Sequence, residues 1–136
     1  MGFDVYLVAF ADKQPSGIPK SAILEIFGDA VLWENDVDRT WQSPRGFDCP
    51  VSLGDFKGDQ TLVSCVSISK PLRDEALWDS LYRIMQLGNV ALFFPGDNCP
   101  LIADESVASQ LPEFDCPWRP IVVGSGNEIV EQIRAG

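Results

Sequence analysis

Residues Leu77–Phe94, which read LWDSLYRIMQLGNVALFF, give the clearest indication of the fold. The first half of this stretch repeats apolar residues at helical spacing, and we predict a helix over Leu72–Leu87 that begins after Pro71 and ends at Gly88. Asn89–Phe94 is then apolar at nearly every position, which is typical of a buried strand. This stretch therefore predicts one helix followed closely by one buried strand.

Outward from this stretch, helix and strand patterns are interleaved without strict alternation. Phe3–Phe10 (FDVYLVAF) is apolar at nearly every position after Asp4, which predicts a strand buried on both faces. The polar residues 11–17 predict a loop. We therefore predict an α+β fold: a single domain over residues 1–136, with one mixed or antiparallel sheet and three to four helices packed against it.

The remaining elements follow from β-branched runs and from helix start and stop signals. Residues 35–50 are the hardest stretch to place, and we expect a strand fragment and a long loop there. The other predicted strands are Ala30–Glu34, Val51–Phe56, Thr61–Ser69, Leu101–Ala103 and Ile121–Val123, with a turn at 57–60 (KGDQ). The other predicted helices run from Pro19 to a stop at Gly28, from an Asp104 cap through Gln110, and onward from a capping box at Ser125–Glu128.

The charge balance narrows the classes of partner. The 136 residues include 20 acidic and 10 basic side chains and no histidine, which gives a formal charge of −10. Such a chain repels phosphates and anionic lipids, which argues against a nucleic-acid or membrane partner. An acidic surface attracts a basic protein, although the same charge can also serve solubility alone.

The compartment is predicted from the chain start and the apolar content. No apolar run approaches the roughly 20 residues that cross a bilayer, and the start MGFDVYLVAFADK lacks the basic region of a signal peptide. We expect a cytoplasmic protein whose four cysteines are reduced.

Three of the four cysteines precede a proline: Cys49 and Cys116 in two copies of FDCP, and Cys99 in DNCP. Zinc would need each ligand from a different segment, and haem would lack an axial histidine. Asp and Asn favour turns, and proline holds the residue before it extended. We therefore interpret all three as turns and predict no metal and no cofactor.

The lack of histidine removes most common catalytic constellations, including Ser-His-Asp, Cys-His and HExxH. The GSG loop at 124–126 is a weak phosphate signal, because Glu128 would repel the anion and a capping box explains the same residues. The acids around Asp36 do not follow the calcium-loop pattern, since Trp41 stands at the glycine position. Enzymes that use carboxylates or thiols stay open.

The segment 33–41, WENDVDRTW, is the leading candidate for a contact with a partner. It combines two tryptophans with acidic residues near a predicted loop, and aromatic anchors ringed by charge are typical of protein interfaces. The alternative is a strand-edge loop whose tryptophans fold back into the core. The predicted contact residues are Trp33, Glu34, Asp36, Asp38 and Trp41.

A second hypothesis places a small-molecule or enzyme site at the Pro95–Pro100 turn, PGDNCP. Asp97, Asn98 and Cys99 would line a pocket there, with Cys99 available as a thiolate. A third possibility is a subunit that associates with itself.

Most of the chain resembles a small bacterial protein family of no established activity. The resemblance rests on DVYLVAF, PSGIPKSAI, LWDSLYRIMQLGNVALFFPGD and IVVGSGNEIVEQI. Proteins of this size and style are similar to the immunity proteins that accompany bacterial polymorphic toxins. The resemblance implies a non-enzymatic inhibitor that binds a toxin domain, and it assigns no site residues.

Overall fold

The structure is a computed structural model that describes residues 4–28, 31–33, 38–42, 48–69, 75–95, 99–112 and 119–135. Within these residues, ten strands form one sheet, accompanied by three α-helices and a 3₁₀ helix, so the α+β prediction is confirmed. The strands are β1 (Asp4–Ala11), β2 (Gln14–Ser16), β3 (Ile18–Pro19), β4 (Val31–Trp33), β5 (Asp38–Gln42), β6 (Asp48–Phe56), β7 (Asp59–Ser69), β8 (Val90–Phe93), β9 (Leu101–Ile102) and β10 (Ile121–Val122). The helices are α1 (Lys20–Phe27), α2 (Glu75–Met85), the 3₁₀ helix (Glu105–Gln110) and α3 (Gly126–Ala135).

The sheet is mixed and mostly antiparallel. Its strand order is β10-β9-β8-β1-β7-β6-β5-β4, with β2 also pairing β1 and β3 also pairing β7. The pair β9–β10 is parallel, and the other described pairs are antiparallel. The first strand of the chain therefore lies near the middle of the sheet, between β8 and β7.

Two hairpins close through two-residue turns with positive φ. Asp12 and Lys13 (φ 49° and 66°) join β1 to β2, and Lys57 and Gly58 (φ 51° and 79°) join β6 to β7. Positive φ at both central residues defines a type I′ turn, whose twist matches that of the flanking strands. The turn predicted at 57–60 (KGDQ) is confirmed at Lys57 and Gly58, and β7 begins already at Asp59. The loop predicted over 11–17 is wrong, because the first of these turns lets β2 pair with β1.

The three α-helices cover one face of the sheet. Val5 and Leu7 of β1 are fully buried there. They belong to one apolar cluster with Ile23 of α1, Leu81 of α2 and Ile129 of α3. Since alternate residues of a strand point to opposite faces, the main core lies on the Val5 side of the sheet.

The opposite face is only partly covered. Tyr6 is 39% exposed, so the prediction that β1 is buried on both faces is wrong. Towards the end of the same strand, Phe10 packs with Val107 and Leu111 at the 3₁₀ helix and meets the Phe93 ring edge-on, with ring centroids 6.4 Å apart. The 3₁₀ helix therefore shelters the Phe10 end of this face and leaves Tyr6 exposed.

Residues 48–50 of the first FDCP copy lie in a strand and not in a turn. Residues 48–50 begin β6 and pair with β5, while the pairing of β6 with β7 starts only at Val51. Proline lacks an N–H group, and a segment paired on one side tolerates that loss. The extended conformation that proline imposes on Cys49 suits a strand, and Cys49 is buried in the core. The copy at 114–117 lies outside the described residues.

Two helix starts confirm the capping predictions. Asp104 accepts a hydrogen bond from the Ser106 N–H at 2.8 Å and so caps the 3₁₀ helix. At α3, the Glu128 N–H donates to the Ser125 hydroxyl at 3.2 Å. The return bond differs from a regular capping box, since Glu128 Oε2 accepts from the Gly124 N–H at 2.7 Å.

Candidate functional site

Three of the five predicted contact residues lie in paired strands. Trp33 ends β4, and Asp38 and Trp41 belong to β5, which pairs with β4 and β6. The structure describes only the backbone of these three residues. Glu34 and Asp36 lie outside the described residues. The predicted contact of acids and tryptophans with a partner therefore stays a prediction.

The alternative pocket at the Pro95–Pro100 turn is described only at its ends. Cys99 is half-buried and is followed by the buried Pro100, where the chain enters β9. Asp97 and Asn98 lie outside the described residues. The two grooves described below are lined by other residues.

The exposed side of the sheet forms a surface that we call the open face. Tyr6 lies between Phe93 of β8 and Ser67 of β7, and Ser67 lies opposite Ser52 of β6. Residues directly opposite one another in an antiparallel pair share a face. A second row of cross-strand neighbours on the same face runs through Val8, Cys65 and Gly54. The open face consists of the residues of both rows: Tyr6, Val8, Ser52, Gly54, Cys65, Ser67 and Phe93.

Tyr6 is the exposed aromatic residue of the open face. Its hydroxyl donates a hydrogen bond to Asp4 Oδ2 at 3.2 Å. The negative charge of Asp4, and then this hydrogen bond, raise the pKa of Tyr6. The Tyr6 hydroxyl therefore stays neutral at pH 7 and hydrogen-bonded to Asp4. The exposed ring of Tyr6 is an apolar surface that a partner could cover.

Cys65 gives the open face little chemical reactivity. Its Sγ lies 3.7 Å from Ser67 Oγ, and burial raises the pKa of the thiol. Because the thiolate is the nucleophilic form, a raised pKa makes this cysteine a poor nucleophile at neutral pH. The open face is thus suited to contact and not to thiol catalysis.

A groove of about 360 Å³ separates the first half of α2 from α3. Glu75 and Asp79 stand one helical turn apart on α2, and both are exposed. In the described structure their carboxylates make no hydrogen bond or ion pair, and neither does Arg134, which lines the same groove. We call it the α2–α3 groove, and its lining residues are Glu75, Trp78, Asp79, Ser125, Gly126, Asn127, Val130 and Arg134.

The two helices approach closely at one point of this groove. A Cβ on Gly126 would lie 2.6 Å from the carbonyl carbon of Trp78 and 2.7 Å from the Asp79 nitrogen. The Asp79 Oδ1 atom would also lie 2.7 Å away. Only glycine allows this approach, because the first two of these atoms belong to the backbone of α2. Gly126 therefore holds the start of α3 against the carboxylate-bearing turn of α2.

A second groove of about 340 Å³ lies between the end of α2 and the start of the 3₁₀ helix. It is lined in part by Gln86, Asn89 and Asp104. The Asp104 carboxylate is already engaged by the Ser106 N–H, which lowers the pKa of Asp104. This carboxylate serves the cap, and the groove offers a weaker case for recognition than the α2–α3 groove.

In the described part of the chain, no three Cys, Asp or Glu side chains are grouped as ligands for a metal ion. No helix among the described residues has the length and apolar character needed to cross a membrane. Comparison of the chain with protein-family models, curated proteins and solved structures finds no match.

Sequence reasoning missed both surfaces that the structure presents. The alternation of Asp4, Tyr6 and Val8 with Val5 and Leu7 is the signal that could have identified one uncovered face of β1. For the groove, the spacing of Glu75 and Asp79 places both acids on one side of a helix. That α3 lies beside them depends on tertiary packing, for which the sequence carries no local signal.

Proposed function

We propose that this chain is a non-enzymatic protein-binding module that contacts a basic protein through the open face. The observation that carries the proposal is an exposed tyrosine on a central strand of the sheet. By analogy with the resemblance described above, the function that fits is inhibition of a basic toxin domain, as an immunity protein provides.

The composition of the open face supports a contact role. Tyr6 supplies a rigid aromatic anchor, and tyrosine is enriched among the residues that dominate binding energy. On the β7 side of Tyr6, Ser67 lies directly opposite the ring, and Ser52 and Gly54 follow on β6. All three residues are small, so a partner can approach the sheet closely on that side of the ring.

Charge complementarity favours a basic partner over a neutral or acidic one. The formal charge of −10 attracts a cationic protein at distances set by the ionic strength. Asp4 adds a carboxylate beside Tyr6. Electrostatic attraction speeds the encounter, and burial of the aromatic ring then slows dissociation.

The test compares two equally exposed apolar side chains. Wild-type protein, Tyr6→Ala and Leu87→Ala would each be immobilised and exposed to lysate of the source cell at low salt, then eluted with a salt gradient. Tyr6 and Leu87 are both 39% exposed, and Leu87 lies outside the open face, after α2. Mass spectrometry identifies a retained protein, and its purified form is titrated against each variant.

We expect a basic protein that binds wild type and Leu87→Ala alike and binds Tyr6→Ala at least about tenfold more weakly. Tyr6→Phe should retain most of the affinity, since it keeps the ring. Equal losses in the Tyr6→Ala and Leu87→Ala variants, or no basic protein retained by wild type, would overturn the proposal. Thermal unfolding of each variant confirms that the domain stays folded.

A further inference from the structure

We infer that the α2–α3 groove is a binding site for a cationic side chain, arginine or lysine, of another polypeptide. The groove lies in the helix layer, on the opposite side of the sheet from the open face. The inference therefore goes beyond the proposed function and does not depend on Tyr6.

The charges of the groove lead to this occupant. Glu75 and Asp79 present two carboxylates from neighbouring turns of one helix, and Arg134 is the basic residue among the lining residues. Arg134 forms no ion pair with either carboxylate in the described structure. The part of the groove at Glu75 and Asp79 therefore stays negatively charged. A guanidinium or ammonium group complements this charge through charge-assisted hydrogen bonds.

The shape and the remaining lining residues fit a long side chain better than a bare ion. A volume of about 360 Å³ lies at the small end of the range for ligand pockets. Trp78 and Val130 supply apolar lining along which the alkyl stem of lysine or arginine can lie. Trp78 is itself only 6% exposed, so this part of the groove is anchored in the core.

The packing at Gly126 keeps the groove in place. Backbone contact between the start of α3 and α2 fixes the distance between the helices beside Asp79. Glu128 is bonded to the Gly124 N–H, and Asn127 Nδ2 donates to Glu131 Oε1 at 3.2 Å. These nearby acids on α3 are therefore engaged, and Glu75 and Asp79 are the carboxylates that remain for a ligand.

The experiment is an NMR titration of the full chain with N-acetyl-argininamide at low salt. Shifts would be followed at the amides of Gly126 and Asn127 and at the Trp78 indole. N-acetyl-citrullinamide, which has nearly the same shape without the charge, is the control ligand. Glu75→Gln with Asp79→Asn removes both charges, and Glu25→Gln with Glu105→Gln removes two exposed charges elsewhere.

We expect saturable shifts confined to the groove with argininamide and none with citrullinamide, with a dissociation constant in the range of about 1 to 10 mM. The Glu75/Asp79 double variant should weaken binding at least about tenfold, and the Glu25/Glu105 variant should change it less than about twofold. Shifts that spread over the surface without saturation, or equal losses in both double variants, would overturn the inference. A negative result here leaves the Tyr6 comparison unaffected, and the reverse also holds.

Discussion

Gly126 shows how a single residue sets the distance between two helices. Its Cα lies so close to α2 that a Cβ would come within 2.6 Å of one backbone atom and 2.7 Å of another. Backbone atoms cannot rotate away as a flexible side chain can. Any side chain at position 126 must therefore move α3 as a whole.

Gly126→Ala should lower the free energy of unfolding by about 1 to 3 kcal/mol, the usual cost of overpacking. Alanine is the better helix former by up to about 1 kcal/mol, so a net loss would show that the steric conflict outweighs helix propensity. Urea unfolding followed by circular dichroism measures the change, with an unchanged slope indicating that the denatured state is the same.

Gly88→Ala is the matched control for that substitution. A Cβ at Gly88 would meet nothing within 4 Å, and the backbone there is not in the left-handed region. Alanine should leave stability unchanged or raise it by about 0.4 to 1 kcal/mol, through a less flexible unfolded chain. If both alanine variants lost the same stability, the close contact at Gly126 would not be the cause.

Among the secondary-structure elements, β7 and the 3₁₀ helix each have an aspartate at their start that accepts hydrogen bonds from the residue two positions later. Asp59 Oδ1 accepts from the Thr61 hydroxyl at 2.6 Å and from its N–H at 2.8 Å, at the start of β7. Asp104 does the same for the Ser106 N–H at the 3₁₀ helix. These hydrogen bonds lower the pKa of both carboxyl groups.

The lowered pKa values predict part of the loss of stability in acid. A carboxyl group whose pKa is lower in the folded state stabilises the fold above its unfolded value, near 4, and this contribution disappears as the pH falls through the folded value. Asp59→Asn with Asp104→Asn should therefore lose less stability than wild type between about pH 5 and pH 3. Thermal unfolding across that range measures the difference.

The control is Asp12→Asn, because the structure shows no hydrogen bond to that carboxylate in the described residues. Asparagine can still accept a hydrogen bond at a cap or turn, so both the double variant and the control should fold. If the double variant and wild type lost stability in parallel as the pH fell, these two carboxylates would not contribute to the acid response.

Elements whose periodicity is strong were predictable from sequence, and those set by pairing were not. α2 and β8 were confirmed because apolar spacing and Gly88 specify them locally. β2 was missed, because its strand character depends on the positive φ values of Asp12 and Lys13 and on a partner strand. The strand at Cys49 was missed for a related reason, since Cys-Pro is compatible with both a turn and an extended strand paired on one side.

The candidate surfaces were less predictable than the fold. An exposed Tyr6 needs one face of the sheet to lack a helix layer, and this depends on all three helices packing on the Val5 side. The groove needs the start of α3 to meet the first half of α2, which only the tertiary structure brings about. The WENDVDRTW hypothesis drew on composition, which carries no information on either arrangement.

At the scale of the whole molecule, the two candidate surfaces lie on opposite sides of one sheet and share one electrostatic field. A chain of 136 residues has a radius of gyration of about 14 Å. At about 10 mM salt the screening length is about 30 Å, so the negative charges act on one another across the molecule. At about 150 mM it falls to about 8 Å, and only near neighbours interact.

The field that attracts a basic partner should also weaken the fold by self-repulsion. Raising sodium chloride from about 10 to about 150 mM should stabilise the protein by an amount on the order of 1 kcal/mol, or about 4 °C in Tm. Differential scanning calorimetry measures this without any partner present. Tetramethylammonium chloride at equal ionic strength should act equally, because the effect is screening and not sodium binding.

A charge variant separates self-repulsion from a general effect of salt. Glu25→Lys with Glu131→Lys changes two exposed helix positions and brings the formal charge from −10 to −6, since each substitution adds two. This variant should gain less stability from the same addition of salt than wild type does. An equal gain in stability would mean that salt does not act by screening self-repulsion. Because the same electrostatic field is expected to attract a basic partner, that result would also weaken the argument from net charge for such a partner.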